Sequence, residues 1–337
     1  MENLRVVVTG GLGFLGRYVV KELIKFNFNV TVFDNNEPNK KLGAFFEGSD
    51  YYRGNILNIN DCKAAFKNAD IIVHLAAIIG ALTDYPSETV FNVNTTGTFN
   101  VFKAAIDSNI NKIIYASSDA SYGYNFRKSP EDTFLPAYLP VDEDFPQKPL
   151  DVYGTSKKVC EEIARFFNNK YGVTAIGLRI SHIRIPISSN PEVNDISNLS
   201  ALEIYRSIEV YQKNLSDFGM MLMPLEPRLL GKGENQVWSG YIFSYNDVRD
   251  AASAFILAAR NKKLEGKNEI FCIGNMEDNG TKYLTKDLIK LFHFENVPLK
   301  KDLKGREPLY NCDKAKTILG FQSKFNWWEL YGSKLFN

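Results

Sequence analysis

Arg5-Val6-Val7-Val8-Thr9-Gly10-Gly11-Leu12-Gly13-Phe14-Leu15-Gly16 is the stretch from which the fold is read. The β-branched run reads as a strand and the glycines as a tight turn. Arg17 to Phe26, with Val19, Val20, Leu23, Ile24 and Phe26 on one stripe, reads as a helix. Strand, glycine turn and helix is the order a bound pyrophosphate requires. Glycines let the backbone turn sharply and approach phosphate without a Cβ in the way, and the helix offers unpaired N–H groups and its positive dipole end. Two spacings are open: Gly11, Gly13 and Gly16 as G-x-G-x-x-G, and Gly10, Gly13 and Gly16 as G-x-x-G-x-x-G. Glycine-rich turns also occur without ligands, and the context selects the phosphate reading. A second buried strand, Val30 to Phe33, ends in Asp34, eighteen residues beyond Gly16, where a carboxylate accepts both hydroxyls of an adenosine ribose.

Outward from this unit, strands and helices alternate. Tyr51 and Tyr52 mark a third strand, followed by a turn at Gly54 and Asn55 and a helix that Asn60 or Asp61 caps. Ile71 to Leu75 is a continuous apolar strand, as expected where helices cover both sheet faces. Pro86 to Asp107 reads as a long helix, Lys112 to Ala116 as a strand, Ser129 to Pro149 as a long surface loop, and Asp151 as the cap of a helix to Tyr171. Val173 to Arg179 follows as a strand. This rhythm predicts an α/β doubly wound parallel sheet.

From Ile180 the alternation is lost, with one helical patch at Ala201 to Tyr211. Extended Val237 to Tyr245, helix Asp247 to Arg260 and strand Glu269 to Ile273 return to the main sheet. Helices at Thr285 to Phe294 and Asp313 to Leu319 close a smaller C-terminal substrate domain. The expected division is residues 1–179 with 240–273 for the sheet domain, and 180–239 with 274–337 for the smaller one.

Composition narrows the partners. A chain of 337 residues with 45% apolar content and a formal charge of +1 can bury a large core. Its cations are spread and balanced, leaving no basic stripe for a nucleic acid. The longest apolar run, Ile71 to Leu82, is too short to span a bilayer and contains His74, and the first strand begins within a few residues of the N-terminus, so a cytoplasmic protein is expected, with no membrane partner. Cys62, Cys160, Cys272 and Cys312 are scattered and read as core residues. With His74, His182 and His293 they make no metal spacing.

Two further stretches carry chemistry, Ser117-Ser118-Asp119-Ala120-Ser121-Tyr122-Gly123 after the strand Lys112 to Ala116, and Tyr153-Gly154-Thr155-Ser156-Lys157. Both lie on the rim of the glycine turn if the sheet is parallel. Tyr153 and Lys157 are four apart and share a helix face. A phenol titrates near 10, so service as a base near neutral pH requires its anion to be favoured by roughly 3 units, about 4 kcal/mol. A lysine ammonium one turn away and an oxidised nicotinamide ring together supply that. A Tyr and Lys pair is also an ordinary feature of an exposed helix, so the pair acquires meaning only from its surroundings.

Those surroundings resemble the extended short-chain dehydrogenase/reductase family of nicotinamide-dependent sugar epimerases and dehydratases. The resemblance is carried by Thr9 to Gly16, Asp34, His74 to Ala77, Asn94 with Gly97 and Thr98, Ser117 to Gly123, Tyr153 to Lys157, Tyr245 to Asp250, and Asp313 to Phe321. It implies a Rossmann-type sheet and Ser118, Tyr153 and Lys157 as catalytic residues. It implies an NAD site made of Gly10, Gly13, Phe14, Leu15, Gly16, Asp34, Asn55, Ile56, Leu75, Ala76, Ala77 and Asn94 together with Tyr153 and Lys157. Asp34 with no arginine close after it favours NAD over NADP, because a 2′-phosphate would meet a carboxylate.

The expected substrate is a sugar or nucleotide sugar, and the expected reaction is 4-epimerisation through transient oxidation at carbon 4. A sugar or uronate dehydrogenase with net redox, and a catalytically silent NAD-binding regulator, remain as alternatives. A homodimer packed through the Tyr153 helix and the long helix before it is implied, with Val159, Ile163, Phe166 and Phe167 offering an apolar face.

The chain departs from the family at four places. Asn55 stands where an acid is frequent. Ile180-Ser181-His182-Ile183-Arg184 replaces the asparagine and Tyr-Gly-Pro turn that help hold a nucleotide sugar. Gly240, with Trp238 nearby, occupies the region of a usual arginine, and Ala120 replaces the second acid of the 4,6-dehydratases. Arg184, Arg228 and Arg306 are candidate replacements for the missing diphosphate grips. Asp119 is expected either to bond a substrate hydroxyl or to cap its turn, and no dehydratase activity is expected with one carboxylate where two are needed.

Overall fold

The computed structural model describes residues 4–38, 40–79, 85–123, 126–127, 135–184, 229–230, 237–239, 244–280, 283–326 and 328–329. The order of elements is β1 (Arg5–Thr9), α1 (Phe14–Lys25), β2 (Asn29–Asp34), β3 (Asp50–Arg53), α2 (Ile59–Ala65), β4 (Ile71–His74), α3 (Ser87–Asp107) and β5 (Lys112–Ser118). Then come β6 (Phe126–Arg127), α4 (Val152–Tyr171), β7 (Thr174–Ile180), β8 (His182–Arg184), β9 (Leu229–Leu230), β10 (Val237–Ser239) and β11 (Tyr245–Asp247). Last are α5 (Val248–Arg260), β12 (Asn268–Ile273) and α6 (Thr285–Leu291).

Seven strands form one sheet in the order β12-β7-β5-β4-β1-β2-β3, every pair parallel. Alternation along the strands feeds two cores. Val6, Val8, Val73, Ile114 and Ile176 pack against α1 and α5, whereas Val7, Ile72, Ile113 and Ala175 pack against α2, α3 and α4. Strand order reverses at β1, so the carboxyl ends of β1 and β4 border the crevice in which such sheets bind ligands. Among the described residues no helix is long and apolar enough to cross a membrane, and no cluster of metal-ligating side chains occurs.

Several expectations give way to packing. The second helix is capped by Asn58, whose side chain accepts from the Asn60 N–H, and not by Asn60 or Asp61, because Asp61 is turned back to the Asn55 N–H and the Asn58 amide. The stretch read as a surface loop buries Leu139, Val141 and Phe145 against Leu288, Phe294, Val297, Leu309 and Tyr310, with isolated bridges Leu139↔Leu299 and Val141↔Tyr310. Its prolines and acids conceal three apolar anchors. The extended segment near residue 240 does not rejoin the main sheet: β10 pairs with β6 and β9, and β11 pairs with β8. The helix from Thr285 stops at Leu291, whereas residues 313–319 are helical as expected, in π form over Ala315–Leu319. Ala201 to Tyr211 lies outside the described residues. All four cysteines are free and buried, as composition led one to expect.

Buried carboxylates fasten the end of the chain. Asp250 accepts from the Lys324 and Phe325 N–H groups, and Asp278 accepts from Tyr245 Oη, Arg306 and the Trp328 N–H.

Candidate active site

The structure assigns each glycine of the turn a separate task. Gly10 has φ +69°, and a Cβ there would lie 2.6 Å from the Ala76 N atom. A Cβ on Gly16 would lie 2.2 Å from the Gly10 carbonyl oxygen, so this glycine allows helix α1 to sit against the turn. On Gly13 a Cβ would meet only the Gly10 oxygen, at 3.1 Å, so packing inside the protein makes the least demand here. Its bareness is what a closely approaching ligand needs. Gly10 therefore serves the turn and Gly16 the packing of α1, Gly13 is the least obstructed of the set, and Gly11 answers to Val32, whose Cγ1 a Cβ would meet at 2.9 Å.

Helix α1, opening with Phe14 and Leu15, has no side-chain cap on its first turn, which suits an anion at that end. Asp34 faces the same turn, its carboxylate accepting from the Leu12 N–H at 3.1 Å and from the Asn36 N–H at 3.1 Å. The residues present thus fit a dinucleotide. Gly13→Ala is expected to keep the wild-type Tm while weakening cofactor binding about tenfold or more in a calorimetric titration. Gly16→Ala is expected to cost ~1–3 kcal/mol of stability through overpacking.

At the third and fourth strand ends, Asn55 is exposed and its Oδ1 accepts from the Leu57 N–H, and Ile56 is buried against Gly97. Leu75, Ala76 and Ala77 continue β4, the first held by its N–H to the Thr9 carbonyl. A buried relay runs beneath them. Thr98 donates to the Asn94 carbonyl at 2.6 Å, which spends its only proton, so His74 Nε2 donates to Thr98 at 3.0 Å and Nδ1 accepts from Thr9 at 2.7 Å. Thr9 accepts in turn from the Ala76 N–H.

His74 is neutral in this relay, and burial, with the Lys157 ammonium adding to it, pushes its pKa down to about 3. An unfolded histidine binds its proton near 6.5, so between the two values the unfolded state holds more protons. The His74 contribution is therefore complete above pH 6.5 and shrinks by about 1.4 kcal/mol per unit as the pH falls. It is read as the difference in stability between wild type and His74→Gln, because Asp151 and Asp250, both pushed up to about 6 by burial, act with the opposite sign. That difference is expected to be largest above pH 6.5 and to decline toward pH 4.

Asn94 is 1% exposed and works inside the fold. Its amide pairs with both backbone groups of Ile78 and donates to Ser156 Oγ at 2.9 Å, and Ser156 donates to the Tyr153 carbonyl. It joins the end of β4 to the helix bearing Tyr153 and Lys157. Helix α4 starts where expected, with Asp151 accepting from the Gly154 N–H at 3.0 Å. The Lys157 ammonium donates to the Ala116 carbonyl at 2.9 Å and stands 5.6 Å from the Tyr153 ring centroid. Ala116 is two residues before Ser118, so strand end, lysine and tyrosine are drawn to one place. Ser118 accepts from the Ala120 N–H at 3.1 Å and donates to Asp119 Oδ1 at 3.2 Å, so the hydroxyl is oriented before any substrate enters. Asp119 is 6% exposed and begins the turn Asp119–Tyr122.

Of the proposed substrate grips, Arg184 ends β8 with its backbone in register with Asp247, and Arg228 lies outside the described residues. Arg306 is engaged by Asp278 and lies over the Trp328 ring, 3.9 Å from its centroid. Glu161 and Arg179 belong to none of the motifs read from the sequence. They form a bidentate pair, Nε to Oε1 at 2.8 Å and Nη2 to Oε2 at 2.7 Å, at 7% and 5% exposure. One signal was present: Glu161 is four residues after Lys157 and eight after Tyr153, a carboxylate on the stripe that faces the sheet.

Sheet order, glycine cradle and the Ser118, Tyr153, Lys157 group define a Rossmann-type α/β protein. Comparison with known families makes this specific. The chain belongs to the NAD dependent epimerase/dehydratase family, whose model matches residues 6–274. It is an enzyme of that general class. A putative UDP-glucose 4-epimerase of Methanocaldococcus jannaschii is 34% identical over 184 residues, a match that spans about half of each protein, 53% of this chain and 55% of that one. The solved UDP-glucose 4-epimerase of Thermotoga maritima, in complex with UDP-glucose, superimposes with a TM-score of 0.64 at 22% identity, covering 99% of this chain and 100% of that one. A Bordetella bronchiseptica enzyme solved with NAD gives 0.62 at 17% identity, covering 100% and 97%. At these identities the two structures establish the shared fold.

Proposed function

We propose that this protein is an NAD-dependent nucleotide-sugar 4-epimerase with Ser118, Tyr153 and Lys157 as its catalytic residues. The observation that carries the reading is the convergence of the Lys157 ammonium, the Tyr153 ring and the end of the Ser118 strand on the rim that also bears the glycine cradle. The pyrophosphate of NAD would rest on Gly10, Gly13, Phe14, Leu15 and Gly16, its adenosine ribose on Asp34, and its adenine on Asn55 and Ile56. Leu75, Ala76, Ala77 and Asn94 would flank the nicotinamide half, with Lys157 on that ribose. Bound there, NAD supplies a hydride acceptor that can return what it takes.

Tyr153 takes the proton of the sugar hydroxyl, with Lys157 beside it one turn on along the same helix face. Ser118 holds the same oxygen. After the sugar turns in the site, Tyr153 gives the proton back. Arg184 and Arg228 are assigned to the substrate phosphates, and Asp119 to the orientation of Ser118 and a sugar hydroxyl. Residues 1–179 with 240–273 carry the cofactor, and 180–239 with 274–337 the sugar.

Incubation with NAD and UDP-sugars tests the reading. Interconversion of the 4-epimers without accumulation of free NADH is expected. Stoichiometric NADH would instead favour the dehydrogenase alternative, and loss of one water from the substrate would favour a dehydratase.

The assembly is proposed to be a homodimer through α3 and α4. On these adjacent helices Phe91, Phe99, Phe166 and Tyr171 are 39%, 43%, 46% and 41% exposed, more large apolar surface than a solvated helix pair normally shows. Of the residues assigned to this face from sequence, Phe167 belongs to the core of its own subunit, packed at a tilt against Phe102 and stacked with Tyr171. Light scattering at micromolar concentration is expected to give twice the chain mass, and a monomer mass would refute the assignment.

A further inference from the structure

The Glu161–Arg179 pair does more than fill space between α4 and the sheet. Glu161 uses both oxygens twice: Oε1 accepts from Arg179 and from Ser117 Oγ at 2.6 Å, and Oε2 accepts from Arg179 and from Gln147 Nε2 at 2.9 Å. Gln147 also donates to Ser121 Oγ at 3.0 Å. Arg179 Nη1 donates to Tyr122 Oη and to the Glu143 carbonyl, both at 2.8 Å, and the Arg179 carbonyl accepts from Tyr310. The residues so held are 117 on one side of Ser118 and 121 and 122 on the other. The short segment carrying the serine is therefore suspended between two points fixed to a single ion pair. Register explains how this arises: Ser117 lies beside Arg179 across β5 and β7, so both present side chains to the same helix. Tyr153, Lys157 and Glu161 follow one another at intervals of four on that helix.

We propose that Glu161 and Arg179 are positioning residues that set the placement of Ser118 relative to Tyr153 and Lys157, and so govern turnover rather than cofactor affinity. The inference rests on the proposed catalytic role of Ser118, Tyr153 and Lys157. Its physical basis is that a charge-assisted, fully bonded buried network holds one geometry, and that small misplacement of reacting groups costs rate steeply.

The test measures kcat, KM, cofactor Kd and Tm for Glu161→Gln, for Glu161→Gln with Arg179→Met, and for Ser117→Ala and Gln147→Ala, alongside Tyr153→Phe. Whichever turnover Tyr153→Phe abolishes is the assay. If Tyr153→Phe abolishes none, the catalytic assignment fails and the positioning inference falls with it. The double variant removes both buried charges and is expected to regain much of the Tm lost in the single one, while kcat stays at least tenfold below wild type and cofactor Kd within twofold. Ser117→Ala and Gln147→Ala keep the ion pair, and each is expected to lower kcat three- to tenfold with KM nearly unchanged. Recovery of kcat together with Tm in the double variant would show the pair to be structural only. Unchanged kcat in both Ser117→Ala and Gln147→Ala would overturn the proposal even if the charge variants fail to fold.

Discussion

Tyr153→Phe is expected to reduce turnover by about 10²- to 10⁴-fold, the range contributed by a positioned acid–base group, with little change in Tm or in cofactor binding. The substitution removes one oxygen from the first turn of α4 and leaves the network around it intact. Lys157 still reaches the Ala116 carbonyl, Asp151 still caps the helix, and Ser156 still bonds the backbone of residue 153. A loss confined to kcat therefore reports chemistry. It is measured by interconversion of the 4-epimers at saturating sugar, with melting curves taken on the same samples. Turnover within threefold of wild type would remove Tyr153 from the mechanism while leaving the fold and the cofactor cradle untouched.

The second large effect is on stability. Arg179→Ala is expected to destabilise the protein by ~3–5 kcal/mol, the range found when one partner of a buried ion pair is removed. Glu161 would be left 7% exposed with only Ser117 and Gln147 as partners. Tyr122 and the Glu143 carbonyl would each lose a donor, and a cavity would open below the Tyr122 ring, whose centroid is 4.9 Å from the guanidinium. Surface pairs offer a control of the opposite kind. Arg53–Glu37, with both side chains more than 60% exposed, is expected to contribute less than about 1 kcal/mol. Urea unfolding of Arg179→Ala and Arg53→Ala separates the cases, and equal effects would mean that burial does not set the strength of these pairs.

The amino-acid sequence alone determined the elements whose signals are local. The β-branched run before the glycine break at 10–16 and the apolar stripe after it fixed β1 and α1. Asp34 ending a buried run identified the second strand, and Asp151 before a periodic stretch fixed the start of α4. The rim residues Ser118, Tyr153 and Lys157 were also legible, because a parallel sheet places every strand end and following helix start on one side.

Three matters were left to the tertiary structure. Which glycine does which task depends on Ala76 and Val32, far away in sequence, so spacing could not settle it. The stretch before Pro149 looked solvated, yet Leu139, Val141 and Phe145 are buried by residues more than a hundred positions later, a pairing no local periodicity encodes. Glu161 and Arg179 each looked like an ordinary charged residue. Only the register of β5 against β7, and the face α4 turns to them, brings the two charges out of water together, where each is worth keeping only because the other is there.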